Sequence, residues 1–320
     1  MEFTCIILYA RVLFCYLHPK YNVLFIRSGA MSQKYEENAS FNLEEVEEGQ
    51  SSGTVETGGG SENFSGLVTS PCAGEEELHV YVDGNRKDSG DGLTPAGAFA
   101  TCAEAFDLLT FCSGYNYTAV MHFASLENGK EYPPVCLSKD KTAGFRRIRL
   151  EGESHEKTML SLVEACGESE IEVRKFSLRF AHAHHHGRIV LSQAVGLRPN
   201  VCTGSLGSSF GGVVQIAANT RLYVVPGVYP WMFRATSGGE LYAAKAGIAV
   251  IFAPNVHYSR AFVVSEHSGV CHVKVLEYTG EPKGKRYIAR FNGGIVTKSA
   301  GRGIMPGSEA GLACHGGYYF

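Results

Sequence analysis

Apolar and polar positions alternate along LHVYV (78–82), which predicts a strand with one face turned toward a core. The chain then enters DGNRKDSGDGLTP, where Asp, Asn and Gly supply turn conformations. Phe99, Cys102, Ala103, Phe106 and Leu109 follow at helical spacing, so Pro95 to about Phe111 is predicted as an amphipathic helix with Pro95 in its first turn. Beyond it AVMHF (119–123), RRIRLEG (146–152), IEVRKFSLRF (171–180) and RIVLSQA (188–194) read as strands. No further helix is expected.

The downstream half carries a coarse repeat: FGGVVQIA, SGGELYAA, HSGVCHVKV and NGGIVTK each set a Gly before a short alternating strand. The second glycines, Gly212, Gly239, Gly269 and Gly294, lie 27, 30 and 25 residues apart, a spacing that suggests solenoid coils. Phe233 precedes its Gly by six residues, and Phe262 and Tyr287 precede theirs by seven. One coil of short strands cannot bury its inward face alone, whereas stacked coils form continuous apolar ladders. Aromatic and β-branched residues, Phe233 and its equivalents among them, are therefore expected inside, with Gly at the corners. Between Glu151 and Gly207 the pattern is irregular, and the coil register there stays open.

Composition narrows the classes. With 44% apolar and 19% charged residues the chain is not disordered throughout. A formal charge of −3 supplies no basic stripe, so no nucleic-acid partner is expected. The ten cysteines are scattered without a C-x-x-C pair and are expected to be buried, reduced thiols. Residues 31–77 hold eleven Glu against Lys34 alone and read as a flexible acidic tether. In residues 1–30 the apolar run from Cys5 to Leu17 is only 13 residues long and contains Arg11, too short to span a bilayer. No membrane partner is expected. MSQKYEENASF reads as a fresh start at Met31, which makes the first thirty residues a start-site artefact; an export signal is the alternative.

Two blocks resemble a known family. HVYVDGNRKDSGDGLTPAGAFATCAEAFDLL is similar to the opening of phage and prophage tail fibres and tailspikes, and FNGGIVTKSAGRGIMPGSEAGLACHGGYYF resembles the Gly-rich, aromatic end of prophage tail proteins. The resemblance implies an all-β fold, a right-handed parallel β-helix of the pectin-lyase-like kind with one N-terminal capping helix. The strand, turn and helix cap with the first strands would occupy residues 78–145, and the solenoid 146–320. It also implies a homotrimer in the virion tail, made in the bacterial host cytoplasm. Tail or baseplate proteins would be bound through the N-terminal region, and host-surface polysaccharide along the solenoid.

Such solenoids divide into binders and depolymerases, so acid placement discriminates between them. Hydrolysis needs two carboxylates flanking the scissile bond. The last Asp is Asp140, and beyond Glu172 only Glu240, Glu266, Glu277, Glu281 and Glu309 remain. Glu240 and Glu266 are the weak catalytic candidates, as residues that adjacent coils could align. Asp83, Asp88 and Asp91 lack the closing Glu of a calcium loop and are expected to make turns. His182, His184 and His186 would share one face of a strand, which fits a transition-metal site, a pH-titrating surface or an ordinary polar face. No cofactor is expected. The sequence therefore predicts a carbohydrate-binding tail protein without catalysis, with Tyr229, Trp231 and Tyr258 as exposed rings for sugar stacking. A polysaccharide lyase or glycoside hydrolase on the same fold, and a bacterial surface adhesin, are the rivals.

Overall fold

The computed structural model describes residues 77–112, 117–138, 145–274, 276–297 and 305–320. The apolar segment 1–30 and all but the last residue of the acidic tether lie outside the described residues.

The chain opens with β1 (Glu77–Val82), α1 (Cys102–Phe111), β2 (Tyr117–Phe123), β3 (Val135–Leu137), β4 (Phe145–Gly152) and β5 (Met159–Cys166). Two long strands follow, β6 (Glu170–His184) and β7 (Arg188–Leu197), then β8 (Leu206–Ser209), β9 (Val213–Ile216), β10 (Arg221–Val224) and β11 (Gly227–Thr236). Next come β12 (Glu240–Ala243), β13 (Ile248–Phe252), β14 (Val256–Glu266), β15 (Val270–Val273) and β16 (Leu276–Thr279). Short strands complete the series: β17 (Lys283–Gly284), β18 (Tyr287–Arg290), β19 (Gly294–Val296), β20 (Leu312–Ala313) and β21 (Tyr318–Tyr319).

Among the described residues all strand pairings are parallel, and they sort into three ladders that form a parallel β-helix of about seven turns. The first ladder runs β1, β2, β4, β6, β7, β9, β12, β15, β19, β21. The second runs β5, β6, β7, β10, β13, β16. The third runs β3, β5, β6, β8, β11, β14, β18, β20. Since β1 and β2 already belong to the first ladder, coil stacking among the described residues reaches back to Glu77, ahead of the expected start at Arg146.

Alternation turns every second side chain inward, and stacking aligns them from coil to coil. On the first ladder Ala119, Ile148, Ile171, Ile189, Val214, Leu241, Cys271 and Ile295 form one such column, each fully buried. Outward positions there pair by charge: Arg147 meets Glu170 at 2.5 Å, and Glu172 accepts from Arg149 at 3.1 Å and Arg174 at 2.8 Å.

From the end of β6 onward the corner between the third and first ladders repeats one pattern, whereas at the preceding corner Gly167 and Glu168, both with positive φ, lead into Ser169. Two residues with positive φ, such as His185 and His186, Ser237 and Gly238, or Phe291 and Asn292, precede a glycine. Those glycines are Gly187, Gly212, Gly239, Gly269, Gly293 and Gly317, and a Cβ on any of them would strike the backbone of the preceding coil, 2.1 Å from the Ala165 oxygen at Gly187 and 2.4 Å from Ala235 at Gly269. The last predicted corner is thus corrected from Gly294 to Gly293, because Gly293 is the residue packed on Ser265. The aromatic register shifts with it: Phe233 aligns with Val263 and Tyr287, not with Phe262.

The open register between Glu151 and Gly207 resolves into short coils. β6 and β7 pass from the first ladder to the second through single non-glycine residues with positive φ, Lys175 and Gln193, instead of loops. Glu170 therefore pairs with Arg188 only 18 residues on.

The predicted helix starts later than expected. Thr101 caps it, with Glu104 reciprocating toward the Thr101 N–H, so the first turn begins at Cys102 and Pro95 stays in the loop. Phe99 instead bridges to Val82 at the end of β1. Cys102, Ala105 and Leu109 are buried in the same core as Val80 and Val82. No described helix is long and apolar enough to cross a membrane.

Candidate functional site

The outward face of the third ladder collects the chemistry. Cys136, Glu164 and His182 are register partners on β3, β5 and β6, and His184 stands two residues beyond His182 on the same face. The Glu164 Oε1 atom lies 2.8 Å from His184 Nε2 and 3.8 Å from His182 Nδ1. The ligating atoms of all three residues fall within 4.8 Å of one another. The other ring nitrogens are also engaged, His182 Nε2 with Ser209 Oγ at 3.1 Å and His184 Nδ1 with His185 at 2.6 Å. Hydrogen bonding to His182 holds the Glu164 carboxyl down at about 2 against the opposing effect of burial, with His184 and the Cys136 hydrogen bond adding to the same direction. Burial pushes the His184 imidazole below its ordinary value.

Of the predicted metal ligands, His182 and His184 are brought together and His186 is not. β6 ends at His184, and His186 turns at the corner with φ 67°, beside Gly211. Sequence reasoning missed Glu164. Its signal was an 18-residue offset from His182, unreadable while the coil length in that region was unknown.

Farther along the same face Glu266 is 1% exposed and lies among three guanidinium groups: Arg260 at 2.9 Å, Arg290 at 2.5 Å and Arg234 at 3.3 Å. Burial works to raise its pKa, but Arg260, Arg290 and Arg234 outweigh it and keep the carboxylate charged. Arg234 and Arg260 also cover the ring of Trp231, at 4.7 and 5.6 Å from its centroid. The second catalytic candidate, Glu240, opens β12 on the first ladder and accepts a hydrogen bond from Tyr242 at 2.5 Å. Glu266 and Glu240 occupy different ladders, because the 237–239 and 267–269 corners intervene. They do not face each other across a common surface.

The three expected sugar-stacking rings are corrected as well. Tyr229 and Tyr258 are 0% and 1% exposed, inside the solenoid, and Trp231 is 6% exposed beneath its two arginines. The Tyr229 hydroxyl reaches the carbonyls of Val225 and Leu197, which explains how a polar ring is tolerated in the core.

Exposed rings occur instead along the corner ridge. His185 stacks on Phe210 at 5.3 Å, His267 on Phe291 at 4.9 Å, and Phe291 on His315 at 5.4 Å. All five occupy the first positive-φ position of their corners, and successive corners are tied by backbone hydrogen bonds, Phe210 N–H to Ser237 and Gly238 N–H to His267. Ser237 is the one member of this series from His185 to His315 without a ring. Phe210 is 57% exposed, and a Cβ placed on Gly238 would meet nothing within 4 Å. A shallow cleft of about 330 Å³ lies on the second ladder, where His155 stacks on Tyr223 beside Arg198 and Glu156.

The acidic turn makes local structure: Asp83 Oδ1 accepts from the Asn85 N–H and Asp91 Oδ1 from the Leu93 N–H. Cys102 and Cys271 are buried thiols, pushed up to about 12 by burial, whereas Cys136 and Cys202 are exposed, contrary to the expectation of uniform burial. Compared with known proteins, the chain matches no protein-family model, no curated protein and no solved structure.

Proposed function

We propose that the chain is a structural tail protein of a phage or prophage that holds host-surface carbohydrate on its solenoid and does not cleave it. The observation that carries this reading is the gap in the ring ladder at Ser237. Coils in register rise by about 4.8 Å, so Phe210 and His267, two coils apart, present ring faces about 10 Å from each other. Ring centroids stack at roughly 4.5–7 Å, so the gap accepts one further ring. A pyranose has an apolar C–H face suited to such stacking and hydroxyls suited to Ser237 and the exposed backbone of the corner.

The carboxylates support binding over hydrolysis. A glycosidase needs one protonated acid opposite a second carboxylate. Glu172 and Glu266 are held charged by arginines, and Glu240 stands on another ladder, across the corner from Glu266. Fold alone does not choose between a binder and a depolymerase. In this proposal the protein is a homotrimer in the virion tail, joined to tail or baseplate proteins through its N-terminal region and made in the bacterial host cytoplasm.

Incubation with host capsule and lipopolysaccharide preparations tests the reading. The expected outcome is saturable retention of one polymer with no new reducing ends and no unsaturated products. Product formation would favour the depolymerase.

A further inference from the structure

We propose that Glu164, His182 and His184, with Cys136 beside them, form a binding site for a divalent late first-row cation of the zinc class. The inference rests on the third ladder alone and is independent of the carbohydrate reading.

The donor set is one carboxylate oxygen, two imidazole nitrogens and an adjacent sulfur, which suits zinc and its neighbours and not calcium or magnesium. Donors about 2.0–2.1 Å from a tetrahedral ion are roughly 3.3 Å from each other. The observed 2.8 and 3.8 Å separations from Glu164 bracket that value and the whole set lies within 4.8 Å, so side-chain torsions would have to close the set around the ion. Cys136 is the register partner of Glu164 in the preceding coil and hydrogen-bonds to it, which sets its sulfur beside the carboxylate.

Preorganisation is the second argument. Metal-binding histidines are usually oriented by a partner on the other ring nitrogen. Ser209 does this for His182 and His185 for His184, leaving His182 Nδ1 and His184 Nε2 directed at Glu164. The three side chains are 19–31% exposed, so an ion can enter from solvent. Bound there, it would link β3, β5 and β6, three successive rungs of the third ladder, where no disulfide joins the described cysteines.

The test uses the full chain, produced without a histidine tag and stripped by chelator, titrated with Zn²⁺ by calorimetry and with Co²⁺ by absorption. One equivalent of Zn²⁺ is expected to bind and to raise the melting temperature. Co²⁺ should give the intense visible bands of a tetrahedral site and a near-ultraviolet thiolate band that Cys136→Ser removes. Glu164→Gln, nearly isosteric, and the His182→Ala/His184→Ala pair should weaken binding by about tenfold or more. His186→Ala should leave it unchanged. Circular dichroism identifies variants that fold. No saturable equivalent of Zn²⁺, or wild-type affinity in a folded His182→Ala/His184→Ala variant, would overturn the site. Absence of the thiolate band would overturn the assignment of Cys136.

Discussion

Ser237 lies directly next to Phe210 along the solenoid: the Phe210 N–H donates to the Ser237 carbonyl at 3.0 Å, yet Ser237 supplies no ring to continue the His185–Phe210 stack. With a rise of about 4.8 Å per coil, the interruption corresponds to the thickness of one ring on an otherwise stacked ridge. Burial separates two kinds of aromatic residue, those exposed at corners, such as Phe210, and those that fill the core, such as Tyr229.

That separation predicts opposite phenotypes. Tyr229→Phe removes a hydroxyl bonded to two buried carbonyls and should lower stability by about 1 kcal/mol while leaving polymer retention unchanged. Phe210→Ala should keep the melting temperature within a few degrees and weaken retention. Thermal melts and polymer-affinity electrophoresis on both variants check this.

The glycine corners should tolerate substitution unequally. At Gly269 a Cβ meets Ala235 backbone atoms at 2.4 Å, and Gly269→Ala should cost about 3 kcal/mol. At Gly238 space is open and only the φ of 74° opposes a side chain, so Gly238→Ala should cost about 1 kcal/mol. Denaturant unfolding of the two variants gives the comparison.

Glu266 is predicted to be structural. Glu266→Gln leaves Arg234, Arg260 and Arg290 without their shared counter-charge. Their side chains are 30–38% exposed, so solvent screening limits the cost to about 2 kcal/mol, below that of a fully buried pair. The melting temperature should fall and polymer retention should not.

Glu172 should make stability depend on acid. Burial alone would raise its pKa, but Arg174, Ser192 and Arg149 lower it to about 2, beneath an unfolded value of about 4.3. A lowered folded pKa means the stabilisation is complete above the unfolded pKa and is lost as pH falls toward 2. Its size is of order 3 kcal/mol. Melting curves of wild type and Glu172→Gln between pH 2 and 7 should diverge near neutrality and converge at the acid end.

Much of the fold was legible in the sequence because inward positions recur every second residue. LHVYV and VVQIA expose that alternation directly, and the Gly-bearing corners downstream mark the coils. The last corner was misread by one residue because Gly293 and Gly294 are adjacent, and only packing against Ser265 distinguishes them. Upstream, Lys175 and Gln193 turn the chain without glycine, so no punctuation revealed the 18-residue coils. Glu164 was invisible as a partner of His182 for the same reason. Tyr229 and Tyr258 were misplaced because a tyrosine's identity does not tell which face it takes when an interior acceptor can meet its hydroxyl, the Leu197 and Val225 carbonyls for Tyr229 and the Met232 sulfur for Tyr258. The exposed ridge escaped notice because its rings are one per coil, on turn positions between strands.

Filling the gap at Ser237 tests carbohydrate binding at the corner ridge most sharply. Ser237→Phe is conformationally compatible, since Phe210 and Phe291 occupy the same corner position at φ 47° and 52°, close to the 50° of Ser237. Retention of host polymer by this variant is compared with wild type by affinity electrophoresis. A folded protein of equal or higher melting temperature that no longer retains the polymer is expected. Wild-type retention by that folded variant would contradict it.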